Sequence, residues 1–189
     1  MKNRKIIAVV GLPGAGKSEL MKYLLEKFHW PKVYFGEVTF DEMKRRGLEI
    51  NEKNERLVRE GLRKKFGADH YAKEMIKKVN AIKNSEHVLV ESLYSWTEYI
   101  LFKKNFPDNF IVISLYAPPN VRYERLGKRA ARPLMPEEAQ SRDWAQIENL
   151  SQAGPIAMAD HMIINAGDIA GIHNQADEIM SRLLMRKSV

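Results

Sequence analysis

At 189 residues, with 44% apolar and 29% charged side chains, the chain has the size and composition of one compact domain, which excludes disorder, collagen-like repeats and a second full domain. The absence of cysteine excludes disulfides, thiolate metal sites and cysteine nucleophiles. A formal net charge of +7 favours anionic partners, nucleic acid among them, without selecting one.

The opening MKNRK and the uncharged run Ile6 to Gly16 have the outline of a short secretory signal. The run nevertheless holds three glycines and a proline, lacks a small-x-small cleavage site and closes on Lys17 and Ser18. No stretch approaches the ~20 apolar residues that span a bilayer, so the sequence reads as a soluble, cytoplasmic protein with no membrane partner.

Ile6 to Val10 is an unbroken apolar, β-branched run, the pattern of a parallel strand covered on both faces. Leu20, Met21, Leu24, Leu25 and Phe28 follow at helical spacing. Val33 to Phe35 reads as a second strand ended by Gly36. From Asp41 to about Ala81 charged residues surround scattered apolar anchors, predicting two or three surface helices broken near Gly47 and Gly67, in the most mobile segment of the chain. Val88 to Val90 ending on Glu91, Phe110 to Leu115 and Met162 to Ile164 give three more strands. Pro118 and Pro119 suit the first turn of a helix, Pro133 and Pro136 break the chain before another, and Ile169, Ile172, Ala176, Ile179 and Leu183 stripe the last. Strands alternating with helices predict an α/β fold with a parallel sheet in one domain spanning 1–189.

Gly11-Leu12-Pro13-Gly14-Ala15-Gly16-Lys17-Ser18 satisfies G-x-x-x-x-G-K-[ST] and lies between a predicted strand and a predicted helix, the context the motif requires. Its glycines let backbone N–H groups turn inward around a phosphate at the positive end of the helix dipole. Lys17 then bridges β- and γ-phosphates and the Ser18 hydroxyl ligates Mg²⁺. The nucleotide-binding set is Gly11, Pro13, Gly14, Ala15, Gly16, Lys17, Ser18 and Leu20, with ATP and Mg²⁺ as the expected cofactors. The chain has no N-K-x-D guanine motif, its single D-x-x-G (Asp168 to Gly171) lies near the carboxyl end, and it is short for a motor, which leaves a small-molecule kinase.

Arg122, Arg125, Arg129 and Arg132, spaced three, four and three, share one helix face, as the arginines of a closing lid over a γ-phosphate do. Arg125 and Arg129 are assigned to catalysis with Lys17, and Arg125 also to nucleotide binding. Arg142 and Asp143 either complete the lid or pair at the surface. Glu91, ending the third strand, suits the Mg²⁺ hydration shell. Glu37, following Gly36 at the end of the second strand, suits either a base for an attacking hydroxyl or a capping carboxylate. Tyr94 and Trp96 stand where an acceptor pocket or ordinary packing would use them.

In this order of P-loop, two strand-end carboxylates, arginine lid, Ala159-Asp160 and Asn165-Ala166-Gly167, the chain resembles the nucleotide-kinase-like P-loop family, above all archaeal-type adenylate-kinase-related proteins and dephospho-CoA kinases. The resemblance implies a P-loop kinase fold with strand order 2-3-1-4-5, a helical acceptor-binding segment at about 37–84 and a lid at about 119–150. It also implies that Asp160 and Asn165-Ala166-Gly167 lie by the adenine of ATP, with contacts from Asn165 and Gly167. Adenylate kinases carry an arginine after each of strands two and three to clamp the acceptor phosphate. Here the segments read Gly36-Glu37-Val38-Thr39-Phe40 and Glu91-Ser92-Leu93-Tyr94-Ser95, and both arginines are absent; Arg45, Arg46, Arg56 and Arg63 are the candidate replacements. Glu37 with the Glu91 segment looks distantly like deoxynucleoside kinases, which phosphorylate a hydroxyl. The expected function is therefore ATP-dependent phosphoryl transfer to a nucleoside, nucleotide or coenzyme-like small molecule. A non-catalytic ATP-binding regulator of RNA or protein is the alternative from another class.

Overall fold

A computed structural model describes residues 4–130 and 133–185, with the side chain of Glu52 left aside. Five strands form one all-parallel sheet: β1 (Lys5–Val10), β2 (Lys32–Tyr34), β3 (His87–Glu91), β4 (Phe110–Tyr116) and β5 (His161–Ile164), in the order β2-β3-β1-β4-β5. That is the order the resemblance implies. β1 lies at the centre, Ala8 opposite Val90 on one side and Val112 on the other. Its apolar run is continuous because both faces are covered. Ile6, Ala8 and Val10 belong to one core cluster with Val33, Met75, Val90 and Phe102, while Ile7 and Val9 belong to the other with Leu20, Leu24, Ile113 and Ile172.

The helices follow from the same patterning. α1 (Lys17–Phe28) and α9 (Ile169–Met185) supply the second cluster through Leu20, Met21, Leu24, Ile172, Ala176 and Met180. On the other side run α2 (Gly36–Arg45), α3 (Glu52–Phe66), α4 (His70–Ala81) and α5 (Trp96–Asn105). Gly47 and Gly67 interrupt this run with positive φ of 66° and 96°, as expected of helix ends. α6 (Pro119–Gly127), α7 (Pro136–Leu150) and the five-residue α8 (Ala153–Ala157) complete the chain. Ser95 and Glu98 close a capping box at the start of α5.

Two details differ from the sequence reading. The second strand stops at Tyr34 and α2 begins at Gly36, so Glu37 lies in a first helical turn, where the helix dipole favours a carboxylate. Asp160 stands at the amino end of β5, remote from the strand ends that carry the P-loop. Its backbone N–H donates to the Val112 carbonyl at 2.9 Å, and its Oδ2 accepts from the Val112 N–H at 2.8 Å. Asp160 is thus a staple between β4 and β5 and not a neighbour of the nucleotide site. No described helix is long and apolar enough to cross a membrane.

Candidate nucleotide site

The P-loop leaves β1 at Gly11 and enters α1 at Lys17. Gly14 and Gly16 adopt φ of 79° and 103°, conformations that cost L-residues strain. Space forbids a side chain there as well: a Cβ on Gly14 would stand 2.7 Å from the Arg122 carbonyl oxygen, and one on Gly16 would stand 2.4 Å from Asn165 Nδ2.

The loop is shaped by distant side chains that take up its carbonyls. Gly11 O accepts from Lys17 Nζ at 2.7 Å and from Gln152 Nε2 at 3.1 Å. Leu12 O accepts from Lys17 Nζ at 3.1 Å, Pro13 O from Arg122 Nη1 at 3.0 Å, and Ala15 O from Asn165 Nδ2 at 2.8 Å. With the carbonyls held outward, the N–H groups of Gly14, Gly16, Lys17 and Ser18 donate to no acceptor among the described residues, and α1 has no side-chain cap. Such a concave row of free amides at a helix N-terminus is an anion site. The residues present therefore fit a polyphosphate, and the exposed Ser18 hydroxyl fits a hard divalent cation beside it.

Cations surround this cradle. A cleft of about 140 Å³ is lined by Gly14, Gly16, Lys17, Ser18, Glu19, Arg125 and Arg129. Burial, then Arg129, Arg142 and Arg122, push the Lys17 ammonium down to about 7, and Asp143 opposes them. Burial and Arg142 likewise lower Arg129. Neither Arg129 nor Arg142 has a carboxylate partner among the described residues, so this field is left for an anionic ligand. The Tyr94 ring faces Lys17, with Nζ 6.0 Å from its centroid.

The arginine stripe divides its work. Arg122 is buried at 3% exposure, donating through Nε to Ala117 O at 3.0 Å and pairing through Nη2 with Asp143 Oδ2 at 2.6 Å. Arg125 reaches Asn165 O at 3.1 Å, Asn165 Oδ1 at 3.2 Å and Gly167 O at 3.2 Å. Arg129 is not on the helix face its spacing predicts, because α6 ends at Gly127; it follows the helix and lines the cleft, and Arg132 lies outside the described residues. Asn165, 4% exposed, joins the P-loop to Arg125, and Gly167 is exposed on the same segment. Leu20 carries its side chain wholly into the core, and through its N–H to Gly16 O it closes the first turn of α1.

On the opposite side of Lys17 the carboxylates are paired. Glu91 accepts from Lys32 Nζ, and Glu37 Oε2 accepts from Lys78 Nζ at 2.6 Å with 43% of its side chain exposed. Arg45 and Arg46 are both taken by Glu42, which their hydrogen bonds hold down at about 2. Arg56 pairs with Glu60. Arg63 lies against Tyr71 and reaches Glu98 Oε1 at 3.5 Å. Burial raises Glu98 above the usual carboxylate range, opposed by donations from the Tyr94 and Ser95 amides. Tyr34, raised by burial, stands in the electrostatic reach of Tyr94, Glu91, Glu55 and Arg59. Sequence reasoning passed over Arg59 and Gln152: Arg59 was signalled by its four-residue spacing from both Glu55 and Arg63, whereas nothing local signalled Gln152.

Comparison with known proteins shows the family and the fold. The family described as an AAA domain matches residues 7–145. A UPF0200 protein of Thermococcus kodakarensis is 36% identical over 94% of this chain and 100% of its own, and one of Methanocaldococcus jannaschii is 32% identical over 95% and 90%. Among solved structures, a gluconokinase from Sinorhizobium meliloti aligns with a TM-score of 0.60 and 15% identity over 95% of this chain and 93% of that one. A shikimate kinase from Acinetobacter baumannii in complex with shikimate aligns with a TM-score of 0.59 and 18% identity over 98% and 96%. At these identities the likeness is one of fold, and the fold is that of P-loop kinases.

Proposed function

The chain belongs to the UPF0200 proteins and carries their AAA domain, and from that premise we propose that it is an ATP-dependent phosphotransferase acting on a small nucleoside-, nucleotide- or coenzyme-like acceptor. The observation that carries the reading is the cradle of free amides ringed by Lys17, Arg129 and Arg142, of which neither arginine forms an ion pair among the described residues. Phosphoryl transfer needs little covalent help from a protein; it needs positioning and charge stabilisation, which this arrangement provides.

The amides of Gly14, Gly16, Lys17 and Ser18 hold the donor phosphates, and Lys17 gains its full charge as an anion enters. Arg129 stabilises charge on the transferring oxygens, while Arg125 orients the Asn165 to Gly167 segment beside the nucleotide. Ser18 would hold Mg²⁺ directly and Glu91, paired with Lys32 in the structure, would hold it through its hydration shell; the ion would supply charge to neutralise the phosphates. Glu37, half-exposed at the start of α2, accepts the proton of an acceptor hydroxyl once Lys78 gives it up.

Incubating the protein with γ-labelled ATP, Mg²⁺ and a panel of nucleosides, nucleotides, coenzyme precursors and sugar acids tests this. The expected result is one labelled product class above the hydrolysis background. A folded protein that binds ATP yet labels nothing in the panel contradicts it. In that case RNA affinity that falls steeply with salt and changes with ATP would favour the regulator.

A further inference from the structure

The lid helix is fastened to the phosphate loop through one buried ion pair that the phosphotransfer chemistry itself does not require. Arg122 uses its planar fork on three elements at once: Pro13 O in the P-loop at 3.0 Å, Ala117 O just past β4 at 3.0 Å, and Asp143 Oδ2 on α7 at 2.6 Å. Tyr123 also donates its hydroxyl to Asp143 Oδ2, at 3.1 Å. Both charged side chains are buried, Arg122 at 3% and Asp143 at 3% exposure. Asp143 Oδ1 accepts from no donor among the described residues.

A buried ion pair is a poor device for stability, because desolvating two charges consumes most of what their attraction returns, and an apolar pair of similar volume does as well. The wiring of this pair is more telling than its strength. Asp143 is flanked on α7 by Arg142, which acts on Lys17, and Asp143 itself offsets the cations around that lysine. Any shift of α7 pulls on Arg122, and Arg122 holds the carbonyl of Pro13, one residue before Gly14, where the loop turns with a positive φ.

We propose that Asp143 is a positioning residue that, acting through Arg122, couples the placement of α7 to the conformation of the P-loop, so that an anion seated in the loop orders the lid and brings Arg142 to it. This rests on the nucleotide-binding reading above. The unused Oδ1 is consistent with a pair that changes partners between an open and a closed lid. The groups that face Lys17 are Arg122 and Arg129 from the α6 side, Arg142 and Asp143 from α7, and Tyr94 from the β3–α5 connection.

Hydrogen exchange on the full chain, with and without Mg-ATP, reads the coupling directly. In the wild type, ATP is expected to slow exchange over both residues 11–18 and α7. In Asp143→Asn, protection is expected to persist over 11–18 and to be lost over α7. Arg122→Lys keeps the charge and the ion pair but lacks the fork that spans three acceptors, so it uncouples α7 as well. The two variants part on a second readout. Asp143→Asn moves the midpoint of the pH dependence of ATP affinity to lower pH, because Lys17 loses its compensating acid, whereas Arg122→Lys leaves that midpoint in place. Equal α7 protection in the wild type and both variants overturns the proposal, as does a wild type whose α7 never responds although residues 11–18 do. A wild type with no protection over 11–18 overturns the nucleotide-binding reading itself.

Discussion

The two sides of Lys17 are built on opposite plans. On the donor side, polar side chains from four separate segments converge on backbone carbonyls, and the cations Arg129 and Arg142 are left uncompensated around an open cradle. On the acceptor side, nearly every cation has found a carboxylate a turn away, as Arg45 and Arg46 have in Glu42 and Arg56 has in Glu60. The difference separates a surface organised for one ligand from one whose charges are satisfied at rest. Exposed pairs of the second kind add little to stability, since water screens them, and open readily to an entering molecule.

The contrast is sharpest at the lysine. Lys17→Met is expected to weaken ATP binding and to lower turnover by ~10³-fold, the upper end for a pre-organised electrostatic group, read by titration calorimetry and acceptor labelling. An unchanged affinity would erase the distinction between the two sides. Glu37→Gln should keep ATP affinity and lower turnover by ~10²-fold, which places the acceptor-side carboxylate in the chemistry; unchanged turnover returns it to the role of a partner for Lys78.

pH separates the sides further. Because Lys17 is held at about 7 in the free protein, an incoming polyphosphate must recharge it at higher pH, so ATP affinity falls as pH rises above 7, by at most ~10-fold per unit. The proton taken up on binding is measurable from calorimetry in buffers of different ionisation enthalpy. Unfolding moves the same equilibrium. The unfolded lysine titrates near its ordinary 10.5, so between about pH 7 and 10.5 the unfolded state binds more protons, and the ligand-free protein gains stability from this group as pH rises through that window. Lys17→Met should flatten that rise in denaturant titrations. The smallest effect belongs to the surface: Glu60→Gln is expected to leave the denaturant midpoint unchanged within error, because Glu60 and Arg56 are both mostly exposed and their attraction is screened by water.

Local rules carry far in this chain where the physics is local. The continuous run Ile6 to Val10 and the eight residues after it specify a central strand, a glycine loop and a helix without help from elsewhere, and the structure has all three. The stripe of arginines shows where such rules stop. Spacing puts Arg122, Arg125 and Arg129 on one face, yet Arg122 is a buried strut and Arg129 an open cation. What decides between them is Asp143, some twenty residues on, and the carbonyl of Pro13, more than a hundred residues back. At Glu37 the sequence left a base and a capping carboxylate side by side, and the first-turn position of Glu37 in α2 fits the capping reading without deciding the other. Gln152 was invisible because a lone glutamine after Ser151 has no pattern to betray it.

Gln152 and Asn165 both grip the P-loop from the last fifth of the chain, across 141 and 150 residues of sequence. A ribosome that has released only the first two thirds has already made every residue of the motif but not the two amide side chains that pin its outer edge. The nascent loop is then a flexible glycine stretch, and grip on a triphosphate is acquired late, when β5 closes the far side of the sheet. Fragments ending near residue 145 should accordingly fold much of the sheet yet handle nucleotides poorly.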